Sequence, residues 1–354
     1  MRHRFIAAGI LYVSTILVGL TSVPSANAQA ASQKAKQISE TETLLAAGKV
    51  AEAEKSARLL VAQNPQQSTA YILLGRVYDA EQEFDKAKES YFQSIQLNSD
   101  DAAPYVRVGA DYLAQNIPPQ ALAWLTRAVV IDPKDQEGLF LLATALVNGK
   151  YYETAQTYLE KYVALRPDDA KGWLLLGDAY MNDEQPENGL KNYKMALTLL
   201  PQLASAHYLV GYAYYQLNDL TNAEKYLRES LQIDPTLMEA HLWLADIAYR
   251  QNQNDDALKQ LHIIMDARPP SADTSHLLAK IYIRAKRYDE ARKILLDALQ
   301  KYPDDQRFHY LLATLYRNTG NTAEAEHELS IYEVAEKMRE LRHKYVRHSF
   351  VYVQ

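Results

Sequence analysis

Nine histidines and forty-four carboxylates are the side chains here with the chemistry to hold a metal or shuttle a proton; cysteine is absent. His207, His241 and His309 stand in one phase, 34 and then 68 residues apart, and His327-Glu328 has the look of half a zinc-protease motif. A zinc ion needs three or four ligands within about 2 Å of one point. Helices that pack side by side are about 8–10 Å apart, so equivalent positions on neighbouring helices do not converge on one ion. His327-Glu328 lacks a second histidine one turn on. Asp178 and Asp246 also share a phase, at a separation too large for an acid–base pair. The sequence has no phosphate-binding glycine loop, no HExxH pair, no GxSxG turn and no EF-hand loop. It therefore implies no catalytic residue, no metal and no cofactor, and the chain is expected not to be an enzyme.

The elements that carry these residues repeat. In residues 170–203, Trp173, Leu176, Gly177 and Tyr180 fall at i, i+3, i+4 and i+7, one face of a helix. Tyr193, Ala196, Leu197 and Leu200 mark a second amphipathic helix. Between them lies Asn182-Asp183-Glu184-Gln185-Pro186, and Pro186 suits the first position of a helix. Gly177 costs about 1 kcal/mol inside a helix, which close approach of the facing helix would offset. Pro133, Pro167, Pro201, Pro235, Pro269 and Pro303 recur every 34 residues. In the same phase run a column of alanines from Ala53 to Ala325, broken by Gly189, and a column with Gly75, Gly109, Gly177 and Gly211.

Period and columns resemble the tetratricopeptide repeat. The resemblance implies an all-α fold, an α-solenoid of nine tandem helical hairpins closed by a C-terminal capping helix. The units are 34–67, 68–101, 102–135, 136–169, 170–203, 204–237, 238–271, 272–305 and 306–339, with 340–354 as the end of the capping helix and a tail. The first unit has Gln37, Glu40 and Thr41 where later units are apolar or small, as a terminal repeat with one wet face requires. The ninth unit does not end with proline; the apolar positions Val334, Met338, Leu341 and Tyr345 stay in helical register across Arg339, so one helix is expected from about Thr322 to about Lys344. This stripe is expected to pack back on the ninth hairpin. The cations Arg339, Arg342, His343 and Lys344 suit a helix C-terminus.

Residues 1–28 have the form of a secretory signal peptide: Arg2 and Arg4, an apolar run from Phe5 to Leu20, then Ala26-Asn27-Ala28. Cleavage after Ala28 would leave a short linker, 29–33, and a periplasmic or secreted protein; an uncleaved leader would be an N-terminal membrane anchor. Loss of Arg2 and Arg4 takes the formal charge from −6 to −8, which disfavours nucleic acid as a partner. An exported chain without cysteine relies on stacked neighbours rather than disulfides.

In proteins of this repeat type the first helices line a concave groove, and the resemblance carries that role to particular residues here. The fifth-position column, Ile38, Ile72, Val106, Phe140, Leu174, Tyr208, Leu242, His276 and Tyr310, holds no lysine, unlike members that clamp a chaperone's C-terminal carboxylate. Tyr208, Tyr212 and Tyr215 share a face that the repeat core does not require, with Tyr249 nearby. Tyrosine joins apolar area to a polar tip and suits interfaces. Glu137, Asp178, Glu239 and Asp246 precede Arg250, His276, Lys280, Arg284, Arg307 and Arg317, so the groove is expected to pass from acidic to basic over an aromatic floor. The resulting expectation is a scaffold or adaptor that binds a protein or peptide. The alternative is a carbohydrate-associated scaffold in envelope polysaccharide export or assembly, with tyrosine faces stacking on sugar rings.

Overall fold

The computed structural model describes residues 26–349, with side chains over 32–341. The leader expected over 1–28 lies outside them apart from its last three residues, as do residues 350–354 of the tail. The chain divides into two compact units, 1–133 and 134–354. The first holds α1 (Ala26–Ala46), α2 (Val50–Gln63), α3 (Ser68–Ala80), α4 (Phe84–Leu97), α5 (Ala103–Ala114) and α6 (Pro118–Ile131). The second holds α7 (Gln136–Asn148), α8 (Tyr152–Leu165), α9 (Ala170–Asn182), α10 (Pro186–Leu199), α11 (Ala204–Gln216) and α12 (Leu220–Ile233). It continues with α13 (Met238–Arg250), α14 (Asn254–Ala267), α15 (Ala272–Arg284), α16 (Tyr288–Lys301), α17 (Arg307–Asn318) and α18 (Thr322–Ser349). No strand occurs among the described residues. None of their helices is long and apolar enough to cross a membrane. Because α1 begins at Ala26, residues 29–33 are helical and not the linker expected from their polar composition.

Each hairpin closes through the same turn. A left-handed residue follows every first helix: Gly48, Gln82, Asn116, Lys150, Glu184, Asn218, Asn252, Lys286 and Gly320. The next amide then donates five residues back, Glu83 N to Tyr78 O at 2.8 Å and Gln185 N to Tyr180 O at 2.9 Å, which is the Schellman closure. This satisfies carbonyls that the helix end leaves open.

Within each unit, first and second helices alternate as neighbours. First helices also touch first helices, α1 with α3 and α3 with α5 in the first unit, and α7 with α9, α13 with α15 and α15 with α17 in the second. Pairs of second helices do not approach to that extent, so the first helices form the tighter, inner side of each unit.

The glycine column permits a close crossing. A Cβ on Gly177 would lie 2.4 Å from the Tyr193 ring, and one on Gly75 2.5 Å from the Tyr91 ring. Both tyrosines are buried and turn their hydroxyls to a carboxylate: Tyr193 donates to Asp178 Oδ1 at 2.6 Å, and Tyr91 donates to Asp79 Oδ2. In the first unit, Thr41 takes the glycine column's place; its hydroxyl donates to the Gln37 carbonyl at 2.8 Å and meets Ser56 Oγ at 2.7 Å.

The closing helix reaches Ser349 rather than about Lys344. Its apolar stripe does not pack back on the ninth hairpin: Val334 is 66% exposed, Met338 51% and Leu341 41%. Ala325 is buried, and the Tyr332 ring lies tilted against Tyr310 of α17 with centroids 5.2 Å apart. Val334 lies nine residues beyond Ala325, a turn of about 180° at 3.6 residues per turn, so it points away from that buried side.

Candidate functional site

The in-phase histidines serve the turns. His207 Nε2–H donates to the Pro201 carbonyl (3.0 Å) and His241 Nε2–H to the Pro235 carbonyl (3.2 Å). In the same column Trp173 Nε1–H donates to the Pro167 carbonyl at 2.9 Å. Each ring therefore ties the start of a first helix to the preceding turn. The second ring nitrogens face Glu229 in one case and Gln260 in the other, and His309 Nδ1 faces Glu328 at 2.6 Å. In His207 and His241 the arrangement is structural and engages both ring nitrogens.

The aromatic residues of α11 converge with one residue that the repeat columns did not single out, Trp243 of α13. Tyr208 and Tyr212 stack at 6.4 Å and 13°. Tyr212 lies 5.1 Å from the Trp243 ring, and Trp243 Nε1–H donates to the Tyr208 hydroxyl at 3.3 Å. All three are half-buried. Trp243 stands in a column otherwise held in the second unit by Leu141, Leu175, Leu209, Leu277 and Leu311, and that departure was its signal. Burial pushes the Tyr208 hydroxyl above the usual phenol range, so it stays protonated and able to donate.

Tyr215, expected beside them, belongs to the core. It is 8% exposed, its ring lies 4.6 Å from Trp243, and its hydroxyl donates to Asp246 Oδ2 at 2.5 Å. Arg250 Nε donates to the same carboxylate at 2.7 Å, and its guanidinium lies over the Tyr215 ring. Burial and the Asp246 charge both raise the Tyr215 hydroxyl's pKa. Tyr215, Asp246 and Arg250 thus form a closed triad joining α11 to α13. Tyr180 and Tyr214, by contrast, are half-buried: Tyr180 donates to Glu160 at 2.6 Å, and Tyr214 accepts from Lys194 Nζ at 2.7 Å.

Beyond the triad, Tyr249 carries two cations on its ring, Lys280 Nζ at 4.7 Å and the Arg284 guanidinium at 3.4 Å. Arg284 also donates to the Tyr249 carbonyl at 2.6 Å. His276 is half-buried and pushed down to about 4 by its burial and by Arg307 and Lys280, so it is neutral at pH 7. Tyr310 and Arg317 are exposed on α17. The expected passage from acid to base is largely cancelled by local partners. Asp178 accepts from Tyr193, Glu239 pairs with Arg268 at 3.1 Å, and Asp246 pairs with Arg250. Arg307 pairs with Asp273 (2.8 Å) and Asp305 (2.7 Å). What remains is an aromatic platform on α11 and α13, with the Tyr249–Lys280–Arg284 stack on α13 and α15.

Hairpins of this geometry, closed by one turn and, within each unit, stacked through their first helices, define a helical-repeat scaffold. Residues 151–342 match the family model described as the cilia and flagella-associated protein 70 C-terminal domain, and 42–106 match that of the tetratricopeptide repeat. The chain belongs to the tetratricopeptide repeat family. Among solved structures it is similar to the C-terminal part of a tetratricopeptide-repeat protein from Cytophaga hutchinsonii (TM-score 0.54, 18% identity), covering 68% of this chain and 99% of that one. It is also similar to PilF of Pseudomonas aeruginosa (TM-score 0.51, 18% identity; 60% and 97% covered). A third likeness is to YrrB, described as having an unusual peptide-binding site (TM-score 0.49, 21% identity; 52% and 95% covered). The first two likenesses establish the fold alone. No curated protein matches the chain.

Proposed function

We propose that this chain is a non-catalytic scaffold of the cell envelope whose second unit holds a segment of a protein partner along the inner face of α11 and α13. The observation that carries this reading is the Tyr208–Tyr212–Trp243 platform: three rings in mutual contact and only half-buried, on the helices that form the inner side. Partly exposed Tyr and Trp clusters with hydroxyl and N–H tips are what protein interfaces favour. Export rests on the charged start, apolar run and small-x-small end of the leader. Mass spectrometry of the mature N-terminus tests it, with Gln29 as the expected first residue.

The groove is tested by a photo-crosslinker placed at Tyr212 in the living cell, with Met195 on the outer face as control. Protein adducts should form at Tyr212 and not at Met195. Tyr208→Ala with Trp243→Ala should weaken capture at least about tenfold, each lost aromatic anchor being worth roughly 2 kcal/mol. The helical circular dichroism should be kept. Equal adducts at both sites, or adducts of glycan only, would remove the protein-groove reading; the latter would support a polysaccharide scaffold.

A further inference from the structure

The closing helix carries a second surface, separate from the groove and independent of its reading. α18 has 28 residues, where α16 has 14 and α17 has 12. Gln306, just before α17, donates to Glu336 at 2.7 Å, which marks where the antiparallel α17 stops covering α18. The remaining run from Glu336 to Ser349 extends about 20 Å further at 1.5 Å per residue. Ile331, Val334, Met338 and Leu341 follow one another at spacings of three, four and three along α18. Val334 stands in a column held in earlier units by Gln96, Val130, Ala164, Thr198, Gln232, Asp266 and Gln300, so the repeat does not require an apolar residue there. Ile331, Ala335, Met338 and Arg339 form one wall of a groove of about 600 Å³, whose other wall is Pro303, Asp304, Gln306 and His309.

Three-four spacing is the a/d seam of a coiled coil, narrower than the broad apolar face of a helix lying in a membrane surface. With Ile331 and Met338 at a, the flanking e and g positions from Ala335 on are Ala335, Lys337, Arg342 and Lys344. Glu333, Glu336 and Glu340 fall at c and f, away from the seam. Two copies of α18 would set cation against cation, g to e in a parallel pair and like to like in an antiparallel one. Charge complementarity selects the opposite partner.

We propose that the outer stripe of α18 is a docking seam for an amphipathic α-helix of another protein, apolar at a and d and acidic at e and g. The full chain is titrated with a synthetic helix of about three heptads bearing Ile and Leu at a and d and Glu at e and g. The same helix with Lys at e and g is the control. The Glu helix should bind and weaken at least about tenfold from low to high salt, because the flanking pairs are exposed and screened. The Lys helix should not bind. Val334→Asp with Met338→Asp, at exposed positions that leave the array folded, should abolish binding without changing the melting curve. No binding of the Glu helix, equal binding of both helices, or binding unaffected by the double substitution would overturn the proposal. So would dimerisation of the chain lost on the same substitutions. Stripe-dependent adsorption to phosphatidylglycerol vesicles in place of helix binding would assign the surface to a membrane and overturn it too.

Discussion

Tyr91 in the first unit and Tyr193 in the second fill the same kind of socket and leave it in different electrostatic states. Each ring sits where the Cβ of a first-helix residue would be, at Gly75 or Gly177, and each hydroxyl donates to a carboxylate of that helix. Asp178 follows Gly177 directly, and Tyr193 is its partner. Asp79 lies one turn beyond Gly75 and meets a second carboxyl, Asp111 of α5, which is only 5% exposed. The corresponding residue in the second unit is Ala213, fully buried and uncharged. One acid oxygen of each partner, Asp79 Oδ1 and Asp111 Oδ2, is buried without a donor, and a proton held between the two carboxyls satisfies both. Burial, the Asp79 charge and the bond to Asp79 push Asp111 up to about 7. Arg107 and Lys88 oppose that shift, as Arg107 and Arg76 do for Asp79, while α6 contributes the apolar Trp124 to the surrounding cluster. One packing device thus joins two carboxyls of neighbouring repeats in the first unit and holds a single carboxyl, itself raised by burial, within one hairpin in the second.

Removing the rings is the most severe way to test the comparison. Tyr193→Ala and Tyr91→Ala should each cost roughly 3–5 kcal/mol, the usual loss for a buried aromatic. Hydrogen exchange of the affected hairpins is the appropriate readout, since long repeat arrays need not unfold as one unit. Tyr193→Phe isolates the hydroxyl and should cost about 1–3 kcal/mol by leaving the Asp178 carboxylate without its donor.

The second effect is smaller and centres on the carboxyl pair of the first unit. Asp111 has a folded pKa above the ordinary carboxyl value of 3.8, so its contribution is complete below about pH 4 and is lost as the pH rises through about 7. Amides of α3 and α5 should therefore exchange faster at pH 8 than at pH 5, after correction for the intrinsic rate; around α9 a single raised carboxyl, Asp178, gives a dependence of the same sign without a partner acid. Asp111→Asn keeps a donor for Asp79 and removes the titration, so it should flatten the dependence and slow exchange at pH 8. A dependence that survives the substitution would mean that the shared proton is not its source.

How much of this could be read from the chain follows the range of the interactions. Helix faces, the glycine crossings and the turn prolines obey local spacing, and all appear as 34-residue columns. The Tyr91–Asp79–Asp111 cluster does not, because Asp111 comes from the next repeat and its column is otherwise apolar or small. Tyr215 was misplaced for a related reason. It shares a helix face with Tyr208, but Trp243 of the following hairpin covers it, and no pattern within α11 records that. The left-handed turn was hidden in another way, since Gln82, Lys150, Glu184 and Lys286 are not residues that announce positive φ.

That turn gives the smallest effect, and the one in which the two units should behave alike. A non-glycine residue in the left-handed region costs about 1–2 kcal/mol through its Cβ and the carbonyl, and at Glu184 and Gln82 the hairpin bears that cost. Gly48 and Gly320 hold the same place with nothing within 4 Å of where a Cβ would point. Glu184→Gly and Gln82→Gly should therefore each stabilise their hairpins, by somewhat under about 1 kcal/mol once the greater unfolded-state freedom of glycine is subtracted. Urea titration followed by hydrogen exchange at Tyr193 and Tyr91 would resolve it. Equal gains in the two units would mean that the turn is indifferent to the socket above it. A gain at Glu184 with a loss at Gln82 would couple the first unit's turn to its carboxyl pair, since Gln82 N donates to the carbonyl of Asp79 itself.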